Sequence, residues 1–170
     1  ITATTADPWG FTVTQSSGST AVTEGGGTDT FTVVLTAEPD SNVVISVTSG
    51  DTGEATVSAS TLTFTSGNWD SAQTITVTGV DDDIIDGSIN TTITLAVVDG
   101  SSDNNFDPLA NQTVTAATAD NDSAGFTVTQ SSGSTAVTEG GGTDTFTVVL
   151  TTQPDSNVVI SVTSGDTGEA

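Results

Sequence analysis

Apolar and polar side chains alternate along most of this chain. Over residues 30–36, Phe31, Val33 and Leu35 fall on one face, and Thr30 and Thr32 on the other. A period of two is the mark of a strand with one buried face. The same pattern recurs over 61–65, with Leu62 and Phe64 inward, and over 74–80, with Ile75 and Val77 inward. It recurs again over 89–98, with Ile93, Leu95 and Val97. Residues 43–48 follow a Pro39-Asp40-Ser41-Asn42 turn, and 112–119 close the set. Residues 11–15 and 21–24 read as one strand split at Ser16-Ser17-Gly18. Turn signals come roughly every ten residues, with no helical period between them. The pattern predicts an all-β fold: an antiparallel Greek-key β-sandwich of seven to eight strands, with Ig-like packing.

The pattern also repeats at long range. Residues 10–55 reappear as 125–170 with 44 of 46 positions identical; only Ala37/Thr152 and Glu38/Gln153 differ. A period of 115 residues is the size of a whole domain, not of a solenoid repeat. Residues 1–9 resemble the end of that domain: Ile1-Thr-Ala-Thr-Thr-Ala-Asp7 parallels Val114-Thr-Ala-Ala-Thr-Ala-Asp120. The expected organisation is therefore the last strand and linker of a preceding domain over 1–9, and a complete sandwich over 10–122. A linker and the first part of a near-identical repeat follow over 123–170. That last part lacks the counterparts of Leu62–Phe64, Ile75–Val77 and Ile93–Val97, half of a core. Either the sequence is a section of a longer polymer, or another chain completes the second repeat.

Composition narrows the chemistry. The chain has 22 Asp and Glu and no Lys, Arg or His, a formal charge of -22. Without an imidazole, a lysine amine or a cysteine thiol, Ser-His-Asp and Cys-His catalysis is impossible. Zinc sites of the Cys/His type and disulfides are excluded by the same absences. Nucleic acid is not a partner, because no side chain can displace its counterions. Neither attraction to anionic lipid nor direct membrane insertion has a basis in the sequence. Only 33% of residues are hydrophobic, which with this charge would suggest disorder. The strand alternation and the low charge density, 13%, argue for a folded chain instead. Of the 37 Thr residues, Thr30, Thr32, Thr61, Thr63, Thr65, Thr74, Thr76, Thr78, Thr92 and Thr94 take outward strand positions, where β-branching suits the strand and the hydroxyl suits water.

The carboxylates gather at turns. Asp81-Asp82-Asp83-Ile84-Ile85-Asp86-Gly87 ends one strand, and Asp120-Asn121-Asp122 ends the last. Glu24 precedes Gly25-Gly26-Gly27, and Asp51 and Glu54 share one loop. The second repeat carries the counterparts Glu139, Asp166 and Glu169. Three adjacent aspartates repel, and no basic residue anywhere relieves them. A hard divalent cation with six to eight oxygen ligands does, which makes Ca2+ the expected cofactor and these residues its candidate ligands. Asp99, Asp103 and Asp107 form a looser group, either a solvated turn or a further calcium site.

The motifs that carry a family resemblance are Val22-Thr-Glu24-Gly25-Gly26, Gly53-Glu54-Ala55, Leu62-Thr-Phe64, Gln73-Thr-Ile-Thr-Val77, Val80-Asp81-Asp82-Asp83-Ile-Ile-Asp86-Gly87 and Ala119-Asp120-Asn121-Asp122. In this order the chain resembles the Calx-β domain, found in tandem in bacterial surface proteins and in the calcium sensor of sodium–calcium exchangers. The resemblance implies a sandwich with calcium clustered at one tip. It points to Glu24, Glu54, Asp81, Asp82, Asp83, Asp86, Asp120 and Asp122. Glu54 stands where the family often has Asp, and Asp86 where it often has Glu. The long tandem arrays of the bacterial members imply a spacer in an extracellular adhesin or surface fibre, without enzymatic activity. Its partners would be neighbouring identical repeats or chains, and calcium ions. A filament subunit completed by strand exchange, or a carbohydrate- or protein-binding module, are the alternative readings.

Overall fold

A computed structural model describes residues 8–168 of the chain. The described residues form two units: residues up to 82 together with 86–121, and residues 83–85 together with 122–168.

The first unit is built from nine strands: β1 (Phe11–Gln15), β2 (Thr20–Thr23), β3 (Thr28–Leu35), β4 (Val43–Ser49), β5 (Ala55–Val57), β6 (Thr61–Phe64), β7 (Gln73–Gly79), β8 (Ile89–Val97) and β9 (Gln112–Ala119). A single 3-10 turn, Asp99–Ser101, follows β8. One sheet runs β1-β3-β7-β5 and the other β2-β9-β8-β4-β6. Their inner faces share one core, in which Phe31, Phe64, Ile45, Ile75, Ile93 and Leu95 are fully buried. Burying each such side chain contributes about 1.5–3 kcal/mol. The outward positions of the same strands carry threonine, often opposite threonine: Thr30↔Thr76, Thr32↔Thr74 and Thr92↔Thr115. Each such pair adds about 0.2–1 kcal/mol.

The split first strand joins both sheets. β1 pairs with β3, and β2 with β9. The second pairing is parallel, Thr20↔Ala116 to Thr23↔Ala119, whereas the alternation predicted an antiparallel sandwich throughout. The chain keeps its direction as it steps between sheets, so its second half meets β9 running the same way. Asp29 holds the step: its carboxylate accepts from the Ser16 hydroxyl, from Ala21 N at 3.0 Å and from Thr30 N at 2.7 Å. These bonds, the Ser16 hydroxyl first, keep its carboxyl below the ordinary value. β5 is an addition to the expected set, three residues that pair with the end of β7.

Two tryptophans pack against the core. Trp9 packs edge-on to Phe106, with ring centroids 5.4 Å apart, and Trp69 packs against the core as a loop anchor. Asp103 is buried and accepts from Asp40 N, Ser41 N and Asn105 N. Its carboxylate is saturated by backbone donors and kept below the ordinary value by them, so it fastens the turn before β4. Asp107 Oδ1 is buried with no donor, but Asp99, Asp103 and Asp107 do not converge as a metal cluster.

Among the described residues of the second unit, the strands are the hairpin β10 (Phe126–Gln130) and β11 (Phe146–Leu150), in the register of β1 and β3. Phe126 is 54% exposed, where its counterpart Phe11 is 6% exposed. The counterparts of β2 and β4 form no strand among the described residues.

Gly79 sits where β7 passes β2. A Cβ there would lie 2.2 Å from the Thr23 carbonyl oxygen and 3.3 Å from Glu24 N. Gly79→Ala should therefore destabilise the first unit by about 1–3 kcal/mol in urea unfolding. Gly100→Ala meets nothing within 4 Å and should stay within about 0.5 kcal/mol of the parent.

Candidate metal centre

Five carboxylates of the first unit converge at the end of the sandwich where β2, β7 and β9 finish and β5 begins. Glu24 and Glu54 are positioned by backbone hydrogen bonds. Glu24 follows β2, and its N–H donates to Ala119 O at 3.0 Å. Glu54 precedes β5; its carbonyl accepts from Val80 N at 2.9 Å and from the buried Thr118 hydroxyl at 3.3 Å. Asp82 and Asp86 lie in the loop after β7, and Asp120 follows β9. The Asp120 carboxylate accepts from Gly87 N at 2.9 Å, which ties that loop to the end of β9.

Glu54, Asp82 and Asp86 each place a carboxylate oxygen within 4.8 Å of the others. Oxygens of Glu24 and Asp120 approach one another as closely. Glu24 is buried, and Glu54 is only 9% exposed. Glu54 Oε2 is buried and has no hydrogen-bond donor. An unsatisfied buried carboxylate oxygen costs several kcal/mol in a protein interior. Burial pushes the Glu54 carboxyl above its ordinary value, and the charges of Asp86, Asp51, Glu24 and Asp82 push it further. Burial likewise raises Glu24; the Asn121 N–H lowers it, and Asp120, Asp82 and Asp86 raise it again. The arrangement is a pocket of carboxylate oxygens in a chain with no side-chain cation, the donor set that a hard cation takes.

The other predicted residues take supporting or separate positions. Asp51 is exposed and accepts from Gly53 N at 2.9 Å, close enough to Glu54 to raise it electrostatically. Asn121 donates from its backbone to Glu24 Oε2 at 3.2 Å and from its side-chain amide to Asp81 Oδ1 at 3.0 Å. It acts as a strut between those two carboxylates. Gly25, at φ 74°, leaves room for it, since a Cβ there would lie 3.1 Å from Asn121 Nδ2. Asp83 and Asp122 fall in the second unit. Glu139 and Asp166 are exposed; Asp166 accepts from Gly168 N at 2.9 Å, and neither joins a cluster among the described residues. Glu169 lies outside the described residues. Thr118, which grips the Glu54 carbonyl, is a supporting residue that the sequence alone did not mark.

No protein-family profile matches the chain, and no curated protein does. Several solved structures are similar at low identity. The apo form of the Calx CBD1 domain matches at 16% identity and a TM-score of 0.44, covering 66% of this chain and 98% of that domain. Domains 4–9 of the surface layer protein SbsC match at 23% identity and a TM-score of 0.39, covering 70% of this chain and 16% of that one. The Salmonella enterica SafA pilin in complex with the SafB chaperone matches at 8% identity and a TM-score of 0.41, covering 69% of this chain and 57% of that one. The β-sandwich assignment stands on the strand pairing itself. No helix among the described residues is long and apolar enough to cross a membrane.

The pH response without metal follows from these shifts. Glu24 and Glu54 are raised in the fold, so the folded state holds their protons more tightly than the unfolded chain. Metal-free stability should rise as pH falls toward their ordinary value of 4.5. It should fall again below 3.8, where Asp29 and Asp103, both lowered in the fold, take up protons. Thermal unfolding in chelator between pH 3 and 8 measures this; a monotonic rise toward pH 8 would contradict it. Glu54→Gln should raise the metal-free midpoint at pH 7 and flatten its decline above pH 4.5.

Proposed function

We propose that this chain is a calcium-stiffened spacer repeat of an extracellular adhesin or surface fibre, with no catalytic role. The observation that carries the reading is Glu54: a buried carboxylate, one oxygen without a donor, beside Asp82 and Asp86 in a chain with no basic side chain. A protein that keeps such a group ionised needs a cation from its surroundings. Calcium suits the site because every side-chain donor is an oxygen, and its large, variable coordination number fits carboxylates offered by an irregular loop such as 81–87. Glu24, Glu54, Asp82, Asp86 and Asp120 are the residues we assign to the ions, with Asp81, Asn121 and Asp51 at the margin.

The mechanical role follows from the chain path. Asp120 and Asn121 lead from β9 directly into the second unit, so an ion held at this end restrains the residues through which force would pass. Without the ion, the same carboxylates repel and the segment loosens. We read the sheet connectivity as the Greek key of Calx-β-like modules, and the uniform negative charge as a coat that keeps neighbouring copies apart until calcium binds. Millimolar extracellular calcium would keep a site of modest affinity filled, whereas submicromolar cytosolic calcium would not.

Small-angle scattering of the chain tests this, with calcium and with chelator. The calcium form should show a longer, narrower distribution of interatomic distances and a higher unfolding midpoint. At calcium 100-fold above its dissociation constant the added stability should be about 2.7 kcal/mol. Superimposable scattering curves and equal midpoints would overturn the proposal.

A further inference from the structure

The two sheets of the first unit end in four outer strands: β1 and β5 in one sheet, β2 and β6 in the other. The outer side of such a strand is a template for a strand from another chain, and the usual protection is a charged side chain, lysine above all. This chain has no lysine. Each outer strand is instead met by a side chain that crosses from the opposite sheet. Gln112 of β9 donates to Phe11 O at 2.6 Å, Ser49 of β4 to Ala55 O at 2.7 Å, and Gln73 of β7 to Thr63 O at 2.8 Å. Asp29 of β3 accepts from Ala21 N at 3.0 Å.

All of these backbone groups face away from the neighbouring strand. The even-numbered residues carry the inward bonds: Gly10 and Ser16 to β3, Glu24 to Ala119, Glu54 and Ser58 to β7, and Ser60 to Val47. The odd-numbered residues therefore point outward. Turns occupy further outward groups, with Gly18 N on Gln15 O, Gly27 N on Thr23 O, and Ala55 N on Asp51 O. Asn68 occupies two more: it donates to Thr63 O at 3.4 Å and accepts from Thr65 N at 2.6 Å. Among the outward residues of these strands, only Val13, Val57 and Thr61 keep both backbone groups free, and no two of them share an edge. A strand needs several consecutive free groups to add to a sheet.

We propose that the crossing side chains close the sandwich edges against a second copy of this chain, and that Asn68 and Gln73 keep β6 from pairing with β6 of that copy. Without those two side chains, Thr61, Thr63 and Thr65 would offer consecutive free groups along one edge, and two such edges can pair antiparallel. The uniform negative charge also keeps copies apart, but salt screens it. The side chains are the protection that persists at high salt. This inference stands on the strand edges alone, and survives if the calcium reading fails.

The test compares the 170-residue chain with its Asn68→Ala/Gln73→Met variant in high salt, by sedimentation and by hydrogen exchange at several protein concentrations. The variant should gain mass with concentration beyond whatever the parent shows. Its Thr61, Thr63 and Thr65 amides should exchange about 10-fold or more slower at high concentration than at low, as newly paired edge amides do. A purely structural role predicts the opposite, a Thr65 amide that exchanges faster at every concentration. Gln73→Met alone leaves the Asn68 turn intact and removes the shorter bond to Thr63 O, so it should show the same effect more weakly. It keeps the test readable if the double variant unfolds. Adding Thr63→Pro should abolish the association, because Thr63 N faces away from β4 and its loss breaks no sheet bond. Exchange at 61–65 independent of concentration in the folded variants, or association undiminished by Thr63→Pro, would overturn the proposal.

Discussion

The burial of Glu54 in a chain that has no side-chain cation is the constraint on which the rest depends. Its carbonyl is gripped by Val80 N and the Thr118 hydroxyl, so its backbone cannot retreat from the sandwich end. Its Oε2 has no donor, and Asp82 and Asp86 crowd its charge. A protein with arginine or lysine nearby would pair the group internally. Here the only internal relief is a proton, which is why burial and neighbouring charge both raise it. The metal-free state is thus held in tension between a fold that fixes the carboxylate and an electrostatic field that opposes it.

The sandwich supplies that rigidity. Two sheets share one aliphatic and phenylalanine core, and the strand ends that carry acid are anchored by core residues immediately before or after them. Val22 precedes Glu24 by two positions, Ala55 follows Glu54, and Val77 stands just before the close approach of Gly79 to Thr23. Glu24 and Glu54 therefore cannot withdraw by local loop motion without disturbing buried packing. Aspartates away from this pole behave differently. Asp29 and Asp103 are met by backbone N–H groups and hold turns together, with their protons released more easily than usual. The same residue type serves as a structural acceptor where donors are present and as a cation ligand candidate where they are not.

Much of this was legible in the sequence. Alternation located β3, β6, β7 and β8, because a buried face of Phe, Val, Ile and Leu against threonine leaves little choice of register, while β4 was placed by the turn before it. β5 escaped because Ala55-Thr-Val57 is too short to alternate visibly. The parallel pairing of β2 escaped because it depends on which sheet the split strand enters, which local pattern does not encode. The acidic pole was visible as carboxylates clustered at strand ends. The depth of Glu54 was not, since Gly53-Glu54-Ala55 reads as an ordinary turn until Val80 and Thr118 close on it. Asp103 was legible only as a loop acid, because its donors, Asp40 N and Ser41 N, lie some sixty residues away.

The fold buries Glu24 and Glu54 in a chain without side-chain cations, and on our proposal their counter-ion is calcium from outside. Calorimetric titration of the metal-free chain with calcium at pH 7 tests it most directly, with Glu54→Gln as the paired variant. The account predicts saturable binding by the parent chain, and binding weakened or reduced in stoichiometry in the variant. A parent isotherm without saturable heat at millimolar calcium, supported by an unchanged unfolding midpoint, would contradict it.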